Sequence, residues 1–173
     1  NGDEHPITAT VDANGDWQAT SPELPDGSYT VQASITDDAG NTGGATQTGN
    51  LDTLAPTLTL DTVGATNDST PTISGSSNAP AGTVINISVS DGTTTETFTA
   101  TVQADGSWSA DVPNALTDGP LTIEASVSDN AGNTTTLSET ATLNTTAPSI
   151  SINALVDTND TTPTINGTSD AAD

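Results

Sequence analysis

The feature that most constrains this chain is that it repeats itself. LDTLAPTLTL at 51–60 returns as LNTTAPSISI at 143–152, and TNDSTPTISG at 66–75 returns as TNDTTPTING at 158–167. Ala55 and Ala147 set the period, 147 − 55 = 92 residues. PITATVDANGDW at 6–17 returns as TFTATVQADGSW at 97–108, an offset of 97 − 6 = 91, with one residue inserted near Ala115. A fixed period of this kind marks an array of like units stacked along the chain. The expected division is the C-terminal part of one unit at 1–54, a complete unit at 55–146 and the N-terminal part of the next at 147–173.

Within the complete unit, apolar and polar residues alternate with period two, and the segments are bounded by Gly, Pro, Asn or Asp. Leu121, Ile123, Ala125 and Val127 point one way, while Thr122, Glu124, Ser126 and Ser128 point the other. Phe98, Ala100 and Val102 oppose Thr99, Thr101 and Gln103, and Ile85, Ile87 and Val89 are staggered with Asn86, Ser88 and Ser90. The pattern predicts strands at 57–62, 70–76, 83–90, 95–103, 107–112, 121–128 and 134–143, with hairpin turns at Asp91-Gly92 and Asp105-Gly106. Helix is disfavoured, since Thr and Val dominate and no 3.6-residue period exists. Seven short strands in about ninety residues describe an all-β fold of tandem immunoglobulin-like seven-stranded β-sandwich domains, without the cysteine pair of antibody domains.

Composition narrows the function. Of 173 residues none is Lys or Arg and 23 are Asp or Glu, so the formal charge is −23. No Lys or Arg salt bridge can form, and the carboxylates either repel one another or bind external cations. Nucleic acid is excluded as a partner, because phosphate binding depends on Lys and Arg displacing counterions. Anionic membrane surfaces are disfavoured for the same reason. No apolar run approaches the roughly 20 residues of a membrane-spanning helix, so direct membrane insertion is not expected. Aromatic content of 2% would suit a disordered chain, but the alternation of the strands argues against disorder.

DGPLTIEASVSDNAGNT at 118–134 followed by LNTTAP at 143–148, and DGSYTVQASITDDAGNT at 26–42 followed by LDTLAP at 51–56, resemble the bacterial Ig-like repeats of giant secreted adhesins exported by type I secretion. DANGDW at 12–17 and QADGSW at 103–108 fit the same pattern, and the resemblance covers essentially the whole chain. It implies an extracellular, cell-surface location and a structural role, as a stalk or filament of extended domains whose joints bind calcium.

The seven-strand topology says which residues would meet at such joints. The 128–133 loop and the start of the first strand share one end of a sandwich, and the 61–69 loop, the 113–120 loop and the last strand's exit share the other. One joint would gather Asp52 from the first linker with Asp129, Asn130 and Asn133; the next would gather Asn67, Asp68 and Asp118 with linker residue Asn144. Ca2+ takes about six to eight oxygen ligands, which these groups can supply, whereas zinc and copper would call for Cys or His. Asp-Asn-Ala-Gly-Asn is equally an ordinary tight turn, since Asp, Asn and Gly hydrogen-bond their own backbone or accept positive φ. Asn144 stands where the first linker has Asp52, so the second joint is expected to bind the cation more weakly.

Trp17 and Trp108 follow matching turns and alternate with Ala19 and Ala110, which marks them as core anchors rather than a sugar platform. Tyr29 is replaced by Leu121 and reads as packing; His5 has Glu96 as its counterpart and is incidental. No catalytic constellation is expected, because a nucleophile needs an adjacent base and the complete unit holds neither His nor Lys. The alternative to a spacer is a binding module that recognises a glycan or a cell-surface protein. Residues 1–54 supply the last four strands of a unit and 147–173 the first two, leaving apolar faces at Ile7, Val11, Val31 and Ile35. Such faces should not stay bare. The tail of one chain is expected to complete the head of the next, by strand complementation or within a longer polymer, burying Ile150, Ile152 and Ile165.

Overall fold

The structure is a computed structural model that describes residues 4–171. Every regular element among them is a β-strand, and no helix long and apolar enough to cross a membrane occurs among the described residues. The chain divides into two compact units, one made of the chain up to Ala55 with Ser128–Asn133, the other of Pro56–Val127 with Thr134 onward.

The first unit holds a hairpin of β1 (Gly27–Thr36) and β2 (Thr42–Leu51), paired antiparallel from Gly27↔Leu51 to Thr36↔Thr42. Tyr29 lies opposite Gly49, and a Cβ at Gly49 would come within 2.4 Å of the Tyr29 ring. Their counterparts 92 residues on are Leu121 and Ala141. The large residue shrinks where the small one grows. Tyr29 lies against the Gly49 backbone and stays 39% exposed, outside any core, so the packing expected of it is partial.

The second unit contains the sandwich. The larger sheet runs in the order β3 (Ala65–Thr66), β9 (Thr134–Leu143), β8 (Gly119–Ser128), β5 (Val84–Ser90), β6 (Thr95–Thr101). The smaller pairs β4 (Thr72–Ser76) with β7 (Ser107–Asp111), in a register that sets Ile73 opposite Ala110 and Gly75 opposite Trp108. Alternation places Ile85, Ile87, Val89, Leu121, Ile123, Ala125 and Val127 of the larger sheet in one core with Leu58, Ile73 and Trp108 of the smaller. Six of the seven strands expected from the alternation form within a few residues of their expected limits.

The first strand departs from expectation. Instead of one strand over 57–62, the chain bonds to β4 only briefly, through a bridge Leu58↔Ser77 and the N–H groups of Thr59 and Asp61 on the carbonyls of Ser76 and Ser74. It then crosses to the other sheet, where β3 pairs parallel with the end of β9 inside the expected 61–69 loop. Gly64, at φ +69°, sits in the crossing, and its carbonyl accepts from Thr142 N–H. The switch satisfies the backbone of both sheet edges with one segment, and period-two alternation carries no signal for a strand that changes partners midway.

Trp108 is the core anchor, 1% exposed. It lies over Gly75, where a Cβ would stand 2.7 Å from the indole ring and 2.0 Å from the Thr59 carbonyl, so only glycine fits. Trp17, expected to be an anchor as well, is 54% exposed. That is a correction: among the described residues no strand lies across the ring. β10 (Ile150–Ile152) and β11 (Gly167–Ser169) pair antiparallel as a two-stranded ladder, and Ile150, Ile152 and Ile165 are exposed there, not buried as the complementation expectation requires of a joined state.

Candidate functional site

The acidic loop residues singled out by the sequence are held by their own neighbourhoods in a strictly repeated way. In Asp129–Asn133, Asp129 Oδ1 accepts the N–H groups of Ala131 and Asn133, both at 2.9 Å, and Oδ2 accepts Asn133 Nδ2–H at 2.8 Å. The N–H of Gly132, at φ +94°, closes the turn on the Asp129 carbonyl at 3.3 Å. Ninety-two residues earlier, Asp37 Oδ1 accepts from Ala39 and Asn41 N–H, and Oδ2 from Asn41 Nδ2–H. The tight-turn reading of this motif is thus present in full. The Asn133 side-chain amide beside Asp129, followed by the backbone donors, holds its carboxyl below the usual range, and the Asn41 amide does the same for Asp37.

Asn133 has a second task. Its Nδ2–H also reaches the Asp52 carbonyl at 2.9 Å, inside the first compact unit. Three of the four residues expected at the first joint, Asp52, Asp129 and Asn133, are therefore joined by one amide group. Asn130 occupies the turn beside them. Asp52 Oδ1 accepts Leu54 N–H at 3.1 Å, which fixes the turn of the linker itself. Thr135 Oγ1–H donates to the Pro56 carbonyl at 2.6 Å and holds the first residues beyond that linker.

The second set of candidates behaves differently. Asp118 does not meet Asn67 or Asp68; its Oδ1 accepts Thr145 N–H at 3.0 Å and Thr145 Oγ1–H at 2.8 Å, and its Oδ2 accepts Thr146 Oγ1–H at 3.1 Å. The Thr145 backbone N–H, then its hydroxyl, hold the Asp118 carboxyl below its ordinary value. Asn144 Oδ1 accepts Thr146 N–H, as Asp52 does for Leu54, and Asn144 N–H reaches the Thr66 carbonyl. Asp68 Oδ1 accepts the N–H and hydroxyl of Thr70, and Asn67 lies beside it in the same turn.

Sequence reasoning missed the grip of Asp118 on the linker, and with it the same grip one period earlier. Asp26 Oδ1 accepts Thr53 N–H at 3.1 Å and Thr53 Oγ1–H at 2.9 Å. Asp26 and Asp118, like Thr53 and Thr145, are 92 residues apart, so the repeat alignment held the signal; only the pairing across 27 residues was invisible to it. Asp91 was missed as well. Its buried carboxylate accepts from Thr93 and Thr94 N–H, from the Thr94 hydroxyl, and from Thr117 N–H and hydroxyl. The Thr94 backbone, then Thr117, push it far below the usual carboxylate range, and it pins the β5–β6 turn to the 113–118 segment.

These features define a class: tandem immunoglobulin-like sandwich repeats whose short linkers are gripped by side chains of the repeats themselves. The sequence pattern of the bacterial Ig-like domain family matches residues 1–53 and 56–146, and the chain belongs to that family, a non-enzymatic structural fold. Among solved structures it is similar to a tetra-tandem repeat in the extending region of a large adhesion protein (35% identity, TM-score 0.49, covering 93% of this chain and 44% of that one). It is also similar to a 1.5-MDa bacterial ice-binding adhesin studied for host cell surface retention (29%, 0.37, 69% and 43%). A third is a Ca2+-stabilized adhesin with which an Antarctic bacterium binds ice (26%, 0.36, 83% and 39%). The chain spans less than half the length of each of these solved chains. No curated protein matches it.

Proposed function

We propose that this chain is a spacer segment in the stalk of a bacterial surface adhesin, working outside the cell, with joints between repeats at 54/55 and 146/147. The observation that carries the reading is the repeated linker grip. Asp26 on Thr53 and Asp118 on Thr145 hold two successive linkers through the same pair of hydrogen bonds, and Asn133 holds the carbonyl of Asp52. A flexible tether leaves its backbone to water. These linkers do not.

Calcium at the joints is the finer part of the proposal. The Asp129 carboxylate and the Asp52 carbonyl both accept from the Asn133 side-chain N–H group, and a Ca2+ ion taking the place of that donor would draw on these two oxygens and on water. At the second joint Asn144 carries no charge where the first linker has Asp52, so binding there is weaker. The cation would lock a joint that hydrogen bonds already shape.

Scattering and thermal melting in Ca2+ and in chelator test both parts. A ligand at about 100 times its Kd contributes about 2.7 kcal/mol, readily visible as a shift in Tm. Chelation is expected to lower Tm and broaden the distance distribution, and Asp129→Ala, which removes the charged ligand of the first joint, to abolish both responses. Unchanged curves, with no Ca2+ retained on metal analysis, sink the calcium part. A distance distribution of freely jointed beads in both conditions sinks the spacer reading.

A further inference from the structure

Within the complete unit, β6 stands at the end of the larger sheet with no strand beyond it, whereas the crossing segment bonds to β4 and β9 on the other side of the sandwich. The direction of its backbone groups follows from the bonds at its two ends. The Thr94 carbonyl accepts from Asp91 N–H, and Val102 bonds to Thr83 and Gly82, so the even-numbered residues from 94 to 102 turn their N–H and C=O groups toward β5. Thr95, Thr97, Thr99 and Thr101 turn theirs outward. Gln103 Nε2–H occupies the Thr101 carbonyl at 2.9 Å, and the other three form no backbone hydrogen bond on that side among the described residues. Natural edges are blunted by Pro, Lys, a bulge or an inward charge. β6 has the last of these alone, Glu96, which lies near its start and is held by Asn114 Nδ2–H at 2.8 Å. The preceding repeat supplies a contrast: at the offset of 97 − 6 = 91, Pro6 stands where the complete unit has Thr97. A proline at that position has no N–H to offer outward.

We infer that the β6 edge is a strand-addition site and that its occupant is an extended basic segment of another protein. Added antiparallel, such a segment exchanges N–H and C=O bonds with Thr95, Thr97 and Thr99 and extends the larger sheet by one strand. The side chains of these threonines are exposed on the outer face of the sheet, where β-branched residues favour cross-strand pairing. Beside them a shallow groove runs over the short polar side chains of Asn86, Ser88 and Ser126, with Glu124 on its far side. The groove leaves room for long side chains lying back from the added strand. Charge selects the partner. The chain carries 23 acidic side chains and no Lys or Arg, so a basic strand is attracted while an acidic one, a second copy of this chain included, is repelled. Glu96 at the start of β6 and Asp105 in the turn that follows it place two of those charges at the ends of the open ladder.

The inference does not rest on the spacer reading, because the edge belongs to one sandwich and uses none of the linker grips. Its test is NMR of the isotope-labelled 173-residue chain titrated with an end-blocked octapeptide of alternating Thr and Lys. The Thr95, Thr97 and Thr99 amides are expected to shift and to gain protection from hydrogen exchange, and the affinity to fall as salt is raised. N-methylating the peptide throughout keeps its charge and removes its backbone donors, and should weaken binding roughly tenfold or more. Thr97→Pro should weaken it as much while leaving the circular dichroism spectrum intact, since its N–H faces outward; the N-methylated peptide makes the same test without altering the protein. No shift at the three amides overturns the inference. Equal binding by the N-methylated peptide also does so, because charge would then act without a ladder. A Thr-Glu octapeptide that binds equally well removes the basic partner. Protection of the same amides that grows with protein concentration in the absence of peptide overturns the assignment in favour of a second copy.

Discussion

Replacing Trp108 by Ala removes the side chain on which the smaller sheet is assembled. A buried tryptophan withdraws roughly 150–250 Å² from water, which at about 25 cal/mol per Å² is about 4–6 kcal/mol. Alanine recovers a small part of that, and the wild-type residue carries its own penalty: Trp108 Nε1 is buried without an acceptor. An unsatisfied buried donor costs about 1–3 kcal/mol, and its removal offsets part of the loss. The cavity works in the other direction, because Gly75 has no side chain to collapse into it and the Thr59 carbonyl is fixed by the crossing strand. The net expectation is about 3–5 kcal/mol, the range seen for large aromatic truncations. Urea denaturation of the whole chain followed by circular dichroism measures it, with Trp108→Phe as companion; Phe loses the unsatisfied donor with part of the ring and should cost less than half as much. Gly75→Ala should destabilise from the opposite side of the same contact. A cost below about 1 kcal/mol for Trp108→Ala would refute the assignment of this ring as the anchor of the sandwich.

Other outcomes follow from the carboxylate grips. The folded-state carboxyl of Asp118 titrates below its unfolded value, so its contribution to stability is present above about pH 4 and disappears as pH falls through the lowered folded value; the Thr145 amide resonance should report that titration below the ordinary Asp range. Thr145→Val removes one donor of the grip and should move the Asp118 titration upward, toward the ordinary range, while leaving the core unchanged. Asp91→Ala should lower the Tm of the complete unit more than Asp68→Ala does, since Asp91 ties two segments 26 residues apart and Asp68 only its own turn; equal shifts in the two melts would remove the pinning role.

The sequence by itself determined the array and its class. A 92-residue period with strict alternation leaves no other solution than a string of β-sandwiches, because a one-residue slip in any strand would turn Ile85, Ile123 and their neighbours out to water. Alternation also named the core, from Leu121 to Val127 and at Trp108, since those choices depend only on which face a residue occupies. It singled out the Asp-x-Ala-Gly-Asn loops, whose turn is built within five residues. The tertiary structure decided everything that joins distant segments: the crossing of the first strand from β4 to β9, the pin of Asp91 on Thr117, and the commitment of Asp118 to Thr145 rather than to Asp68. It also separated Trp17 from Trp108, two residues in the same local pattern. A side chain's pattern says which face it takes, and burial then depends on whether another strand lies across that face: β4 covers Trp108, and no strand among the described residues covers Trp17.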